Sequence, residues 1–519
     1  MLAKTYSAST IGVEATLIEV EVDVSKGMHS FDIVGLADNA IKESRQRIGS
    51  AIKNLHLDSP SKTNRKVIVN LIPANVKKSG SSYDLPISIC YLVSSQQLEI
   101  PLSTLRETIF VGEVALNGDL KPVSGIINIT EKAECLNFKT IVVPKDNESE
   151  ALLIKKSIKV VALKNLKEVI DYFEGRLDYK EGSIDISSKL TWNNYSDIDF
   201  GDIKGQNAAK RALLISACGG HNLIMIGSPG SGKTLLSKAL ANILPPLTLK
   251  EAMELTKLYS AAGYLSKSFP LVLNRPFRAP HHTASVASIV GGGAFPKPGE
   301  ISLAHKGVLF LDELPEFNRL VLESLRQPLE EGKVTIARVE DSLTFPARFI
   351  LISAMNPCPC GWLNDDQHEC SCSASLVLKY RKKISGPILD RIDLQINVKS
   401  VTFDNAFKKR NSSENIFLRE QVLDARDRQL KRFAEHKNNI TLNSEMNVND
   451  IEKYCPLNDG CQSILKLSME KYGLTMRSLH KIIKVSRTIA DLDKNDNILE
   501  KHLTEALSYK IGDMNDVFN

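Results

Sequence analysis

At 519 residues the chain is long enough for about three domains, and 43% hydrophobic with 24% charged residues is the makeup of a folded globular protein rather than a disordered or fibrous one. A formal net charge of +5 permits nucleic-acid binding without demanding it, and no apolar run approaches the roughly 18–20 residues of a membrane span. The nine cysteines are odd in number and five of them (Cys90, Cys135, Cys218, Cys455, Cys461) are scattered, which argues against a disulfide framework and for a reduced, cytoplasmic chain with no membrane partner.

Over residues 1–170, strand-like runs (15–24, 66–72) alternate with helical ones (39–55, 85–94), which predicts an α+β domain. Residues 112–125 read G-E-V-A-L-N-G-D-L-K-P-V-S-G, with Asn117-Gly118 as a hairpin turn, and lead to a helix and then a strand over 140–144. This pattern resembles the proteolytic domain of Lon proteases. The resemblance implies a Ser nucleophile and a Lys base, and neither matches here: the nucleophile stretch reads Ser82-Tyr83-Asp84-Leu85-Pro86-Ile87, and the place of the lysine falls near Ile127. The alternative pair is Ser81 or Ser82 with Lys77 or Lys78. A serine without an activating base is a weak nucleophile, so the domain is expected to be a non-proteolytic, Lon-like scaffold or binding module. Residues 171–197, rich in Asp, Asn, Ser and Gly, read as a linker.

The next segment, 198–400, carries the chemistry. The apolar run 223–226 reads as a buried parallel strand that stops at Gly227, and residues 227–234 fit G-x-x-x-x-G-K-[ST] ahead of a helical pattern. In such a P-loop, Gly227, Ser228, Pro229, Gly230, Ser231 and Gly232 turn backbone N–H groups inward around phosphate oxygens. Lys233 then sets a point charge on the β- and γ-phosphates of ATP, and Thr234 offers its hydroxyl to Mg²⁺. Residues 307–313 are an apolar strand ending in two carboxylates: Asp312 supports the Mg²⁺ shell and Glu313 orients and polarises the attacking water.

Residues 200–206 resemble the opening motif of AAA+ ATPases. A third strand, 348–357, ends in Asn356, where those proteins keep the sensor 1 amide that meets the γ-phosphate or the lytic water. Residues 385–393 resemble the stretch that supplies an arginine finger in Mg-chelatase and MCM ATPases, with Arg391 as the candidate; pairing of Arg391 with Asp390 or Asp393 is the competing account. Guanidinium suits a finger because it is always charged and bridges two oxygens at once. A finger acting on the neighbour's nucleotide implies a ring. Residues 401–519 predict an all-helical lid, in which 472–492 resembles a sensor 2 helix with Arg477 aimed at a γ-phosphate; a surface arginine is the competing account.

Residues 274–285, 289–293 and 298–307, with the Lon-like front and N-P-C-P-C-G over 356–361, closely resemble the ComM/YifB family of Mg-chelatase-like AAA+ ATPases across essentially the whole chain. The resemblance implies an α/β protein: an AAA+ core with a parallel sheet, an α+β Lon-like N-terminal domain and a helical lid. It also implies a hexameric, DNA-stimulated ATPase that works as a helicase on single-stranded and branched DNA, promoting branch migration in homologous recombination and natural transformation. The alternatives are the ATPase subunit of a magnesium-chelatase-type complex, which ordinarily lacks the Lon-like front and the Cys-rich loop, and a Lon-like peptidase with a fused ATPase.

DNA contacts are expected from a hairpin over 329–340, with Lys333 and Arg338, and from a loop over 291–297, with Lys297; an ordinary solvated hairpin competes with this reading. His281 and His282 are not expected to share a metal, because neighbouring side chains of an extended segment face opposite ways. Cys358, Cys360, Cys370 and Cys372 flank a short polar loop. Four thiolates make a tetrahedral zinc site, and uncoordinated cysteines or a redox-labile pair remain the alternative.

Overall fold

Strands β1 (Leu2–Ile11) and β2 (Glu14–Lys26) form an antiparallel hairpin across Gly12, whose φ of 66° suits the tight turn. Period-2 patterning explains β2: Ile18, Val20 and Val22 are fully buried while the residues between them are half-exposed. With β3 (Ser30–Val34), β4 (Arg65–Ile72), β5 (Thr108–Phe110), β6 (Thr140–Pro144) and β7 (Lys159–Leu163) they make a seven-stranded mixed sheet in the order β3-β4-β2-β1-β5-β6-β7. The helix Asp84–Ser94 is buried at every position and lies against this sheet, Ser94 donating to the Val22 carbonyl at 2.8 Å. The Glu113–Val114 and Leu120–Lys121 strands pair as the hairpin expected around Asn117-Gly118, with Gly118 at φ 89°.

This computed structural model describes residues 2–36, 38–62, 64–74, 78, 80–183, 195–265, 270–293, 297–337, 342–365, 368–400, 410–411, 413–436 and 440–511. They fall into two units, Met1–Leu190 with Leu249–Val272, and Thr191–Thr248 with Leu273–Asn519. The helix Leu249–Ala262, which the sequence reading keeps inside the ATPase core, therefore packs with the first unit. It is anchored there by polar contacts: Ser260 donates to the buried Glu150, Lys257 pairs with Glu131, and Asn128 donates to the Lys257 carbonyl at 3.4 Å. Burial pushes the Glu150 carboxyl up, against hydrogen bonds from Ser260 and the Ile127 N–H.

In the first unit Ser81 donates to Glu113, and the buried Lys78 ammonium donates to the Pro73 carbonyl. Neither is bonded to the other; Lys77 lies outside the described residues.

The second unit is built on a five-stranded, all-parallel sheet: β8 (Leu223–Ile226), β9 (Phe277–Arg278), β10 (Val308–Leu311), β11 (Ile350–Met355) and β12 (Leu394–Asn397), in the order β9-β10-β11-β8-β12. Strands β8, β10 and β11 are buried at every residue, as a parallel sheet covered on both faces requires. The α/β class with a helical C-terminal region is thus as expected. The helices Glu414–Arg432, Asp459–Tyr472, Met476–Leu492 and Glu500–Ile511 share one apolar core with the sheet and with helix Asn207–Gly219. Among the described residues no helix is long and apolar enough to cross a membrane.

One polar knot ties sheet to lid. Asp393, just before β12, accepts from the Asn222 N–H at 3.0 Å and pairs with Lys481 of helix Met476–Leu492 at 2.8 Å, with His221 at 3.6 Å. Burial alone would raise its pKa, but the Lys481 ammonium and His221 hold the carboxyl well below the usual carboxylate range. A depressed carboxyl contributes stability that is complete at neutral pH and is lost as pH falls below about 4. Asp393→Ala leaves Lys481 and the Asn222 N–H without their anion, and the expected loss is about 3–5 kcal/mol. Urea denaturation at pH 7 measures it; a midpoint within error of wild type would refute the assignment.

Candidate nucleotide-binding site

Three strands of the parallel sheet end side by side, and each delivers one part of the site. Strand β8 runs into the P-loop. Gly227 is required there because a Cβ would lie 2.3 Å from the Val398 carbonyl oxygen, while Gly230 and Gly232 take φ values of 76° and 90° that only glycine adopts readily. Helix Lys233–Ile243 starts directly behind. Lys233 is 9% exposed, and its ammonium donates to the carbonyls of Gly227 at 2.7 Å and Ser228 at 2.9 Å. Burial lowers its pKa, with the Asp312 charge opposing. Ser231 is buried at the loop's turn, and its hydroxyl lies 3.4 Å from the same ammonium.

Strand β10 delivers Asp312 and Glu313. The Thr234 hydroxyl donates to Asp312 Oδ2 at 2.9 Å, and Asp312 Oδ1 accepts from the Glu313 N–H at 3.0 Å. Glu313 sits in the left-handed region at φ 51°, which turns its side chain outward to 56% exposure and to 3.1 Å from His282 Nδ1. Strand β11 delivers Asn356, whose Oδ1 lies 3.3 Å from Lys233 Nζ. Lys233, Thr234, Asp312 and the Asn356 amide therefore converge, with Glu313 turned outward beside them.

His281 and His282 do not splay apart as an extended segment would place them. The chain turns here and brings the rings to a centroid distance of 4.1 Å, with His281 bonded to Thr283 at 2.9 Å and His282 facing Glu313.

Arg391 and Arg477 form a second cluster. Arg391 is 8% exposed; one terminal nitrogen donates to the Pro387 carbonyl and the other pairs with Glu330 at 2.6 Å. Arg477 reaches the same Glu330 oxygen. The partner of Arg391 is thus neither Asp390 nor Asp393, and the bond from Arg391, with the Arg477 charge beside it, holds the Glu330 carboxyl below its ordinary pKa. The Asn222 amide donates to the Arg391 carbonyl at 3.1 Å and accepts from the Leu351 N–H at 2.9 Å, so the base of β8 is bolted to both β11 and the arginine segment.

The two candidate DNA elements are neighbours. The hairpin Lys333–Ala337 with Ser342–Pro346 presents an exposed Lys333, 3.6 Å from Glu331, and a Cβ on Gly291 would lie 3.2 Å from Ile336. Lys297 is exposed opposite Gly292. Arg338 lies outside the described residues. The sulfurs of Cys358, Cys360, Cys370 and Cys372 all lie within 4.8 Å of one another.

Sequence reasoning missed the contacts made by Asn222, His282, Asp393 and Glu330. The available signals were positional: a lone Asn before the apolar run, a His shortly after the short strand Phe277–Arg278, and an Asp two residues past Arg391. Glu330 carried none.

A P-loop, a carboxylate pair and an asparagine amide on adjacent strands of this parallel sheet, with the family match that follows, make this a Mg-chelatase-like AAA+ ATPase. Family models described as magnesium chelatase, subunit ChlI match residues 199–406, its ChlI-subunit region residues 20–147, and its C-terminal region residues 410–510. The competence protein ComM of Haemophilus influenzae is 40% identical over 519 residues, covering 98% of this chain and 97% of the relative. YifB proteins, uncharacterized, of Escherichia coli and Salmonella typhimurium are 40% and 38% identical, each over 98% of this chain and 97% of the relative. The chain belongs to the ComM/YifB family of Mg-chelatase-like proteins.

Proposed function

We propose that this chain is a cytoplasmic, ring-forming ATPase, hexameric in its working state, that couples ATP hydrolysis to DNA strand movement and drives branch migration in homologous recombination and natural transformation. The observation that carries the ATPase is the convergence of Thr234, Asp312 and Asn356 around a buried Lys233. The residues fit Mg²⁺-ATP: Thr234 and Asp312 offer hard oxygen donors 2.9 Å apart, and Lys233 is a cation whose partners are main-chain carbonyls, the Ser231 hydroxyl and an amide oxygen, with no carboxylate bonded to it among the described residues. When bound, Mg²⁺ would neutralise charge on the β- and γ-phosphate oxygens. Glu313, turned outward beside His282, would accept a hydrogen bond from the attacking water. Zinc at the four-cysteine loop completes the cofactor set.

DNA as cargo is supported by two adjoining hairpins with Lys297 and Lys333 exposed, and by 40% identity over nearly the whole chain to a competence protein. The second reading, an ATPase subunit of a magnesium-chelatase-type complex, is favoured by the names of the family models. The unit formed by Met1–Leu190 with Leu249–Val272 is read as a non-proteolytic Lon-like module, since Ser81 and Lys78 bond to other partners.

Three outcomes test the proposal. Lys233→Ala is expected to abolish ATP binding, while Glu313→Gln binds ATP and turns it over at least about 10²-fold more slowly; wild-type turnover by Glu313→Gln removes the catalytic assignment. Neither Arg391→Ala nor Lys233→Ala alone should hydrolyse well, but mixtures should recover activity at interfaces that pair an intact P-loop with an intact finger. Mixed rings that form and stay inactive at every ratio would rule out action in trans. For the cargo, binding to a forked junction should weaken steeply with salt and vary little with base sequence, because phosphates displace counterions as they meet the lysines. Wild type should displace strands with ATP and Mg²⁺, Glu313→Gln should not, and Lys333→Ala should do so weakly. An active ATPase that neither binds DNA at low salt nor moves a junction sinks the helicase reading and leaves the chelatase one, which a porphyrin-metalation partner assay then addresses.

A further inference from the structure

Between β11, which ends at Met355, and helix Ala374–Arg381 the described residues form no helix or strand. Little apolar burial holds this long excursion together: Trp362 stacks on His368 at 4.0 Å, and Cys358 is fully buried. Loops of this length without secondary structure need another restraint to keep one shape.

The sulfurs supply a place for it. Cys358 and Cys360 are 3.3 Å apart, and Cys370 lies 3.6 Å from each. Four sulfurs at about 2.3 Å from a tetrahedral zinc ion would be about 3.8 Å from one another, whereas a disulfide requires about 2.05 Å.

What the loop touches gives the site its purpose. Gly361, at φ 88°, is packed so closely on the P-loop that a Cβ would lie 2.6 Å from Pro229 Cδ and 3.9 Å from the Asn356 amide carbon. The far end of the loop returns to the same point: Arg381 donates twice to the Pro357 carbonyl at 3.3 Å. Asn356 in turn meets Lys233.

We propose that Cys358, Cys360, Cys370 and Cys372 bind one structural zinc ion, and that the metal-closed loop is a brace that fixes Pro229 of the P-loop and Asn356 against each other. The brace rests on the reading of this pocket as an ATP site; the metal site does not. The zinc takes no part in hydrolysis and acts only by holding these two elements in register.

The test uses the full chain, purified under reducing conditions without chelator. Elemental analysis is expected to give about one zinc per chain, and cobalt exchanged into the site should show the intense visible bands of tetrahedral thiolate coordination. Chelating the zinc should weaken binding of a fluorescent ATP analogue by about tenfold or more, reversed by zinc but not by magnesium. Gly361→Ala keeps all four thiols, so it should retain zinc yet lose nucleotide affinity, which separates the brace from simple unfolding. A wild-type chain without zinc overturns the proposal, as does nucleotide binding that is unchanged in both the chelated protein and Gly361→Ala. Zinc carried by a wild type that takes up no ATP would keep the metal site but remove the brace, and with it the ATPase reading.

Discussion

The Lys233 ammonium is held almost entirely out of water by its own loop, bonded to carbonyls of Gly227 and Ser228 and to the amide of Asn356 rather than to a carboxylate. A buried cation solvated only by dipoles is poorly satisfied, and burial accordingly lowers its pKa. Asp312, whose charge opposes that lowering, is bonded to Thr234 instead. An incoming polyphosphate would give this ammonium the negative charge that the fold withholds. Everything around it keeps that state intact: the positive-φ glycines that let the loop curl, and the strands that fix where it starts.

Keeping the loop in place is a problem of registering β8 with its neighbours. Backbone pairing aligns Leu223 with Ile352 on one side and with Leu394 on the other, but ladder bonds alone do not exclude a slip in strands of four to six buried apolar residues. Asn222 removes that freedom, because its amide and backbone bond to Leu351, Arg391 and Asp393 at once. Lys481 then carries the same fixture into the lid helix. A polar residue at the buried end of a strand thus specifies alignment where apolar packing is permissive.

The elements that were legible in the sequence are those whose physics is local. The P-loop glycines, the alternation along β2, the apolar runs of β8, β10 and β11, and the Asn117-Gly118 turn each carry their signal within a dozen residues. Strand β1 did not, because Thr5, Ser7 and Ser9 are buried on it and break the expected polar alternation. The knot of Asn222 with Asp393 joins residues 171 positions apart, and Glu330 meets Arg477 across 147. No window of sequence contains both partners. The turn at His281 and His282 was misjudged for a related reason: an extended backbone was assumed where the chain folds to bring a ring to Glu313.

Glu330 also changes what the arginine cluster can do. Two guanidinium groups share one carboxylate oxygen, which leaves a net positive charge, and among the described residues Arg391 Nε finds no acceptor. The Glu330 side chain is 39% exposed, so solvent screens the pair and the contact is a weak tether rather than a lock. A phosphate group carries more charge and offers more oxygens than the carboxylate, and guanidinium binds it in bidentate geometry, so it would draw both arginines away from Glu330. Glu330 lies in helix Arg326–Glu331, and one residue beyond that helix, after Gly332 in the left-handed conformation, begins the hairpin that bears Lys333. The proposed DNA contact and the tether of the proposed finger are therefore three residues apart on a continuous backbone.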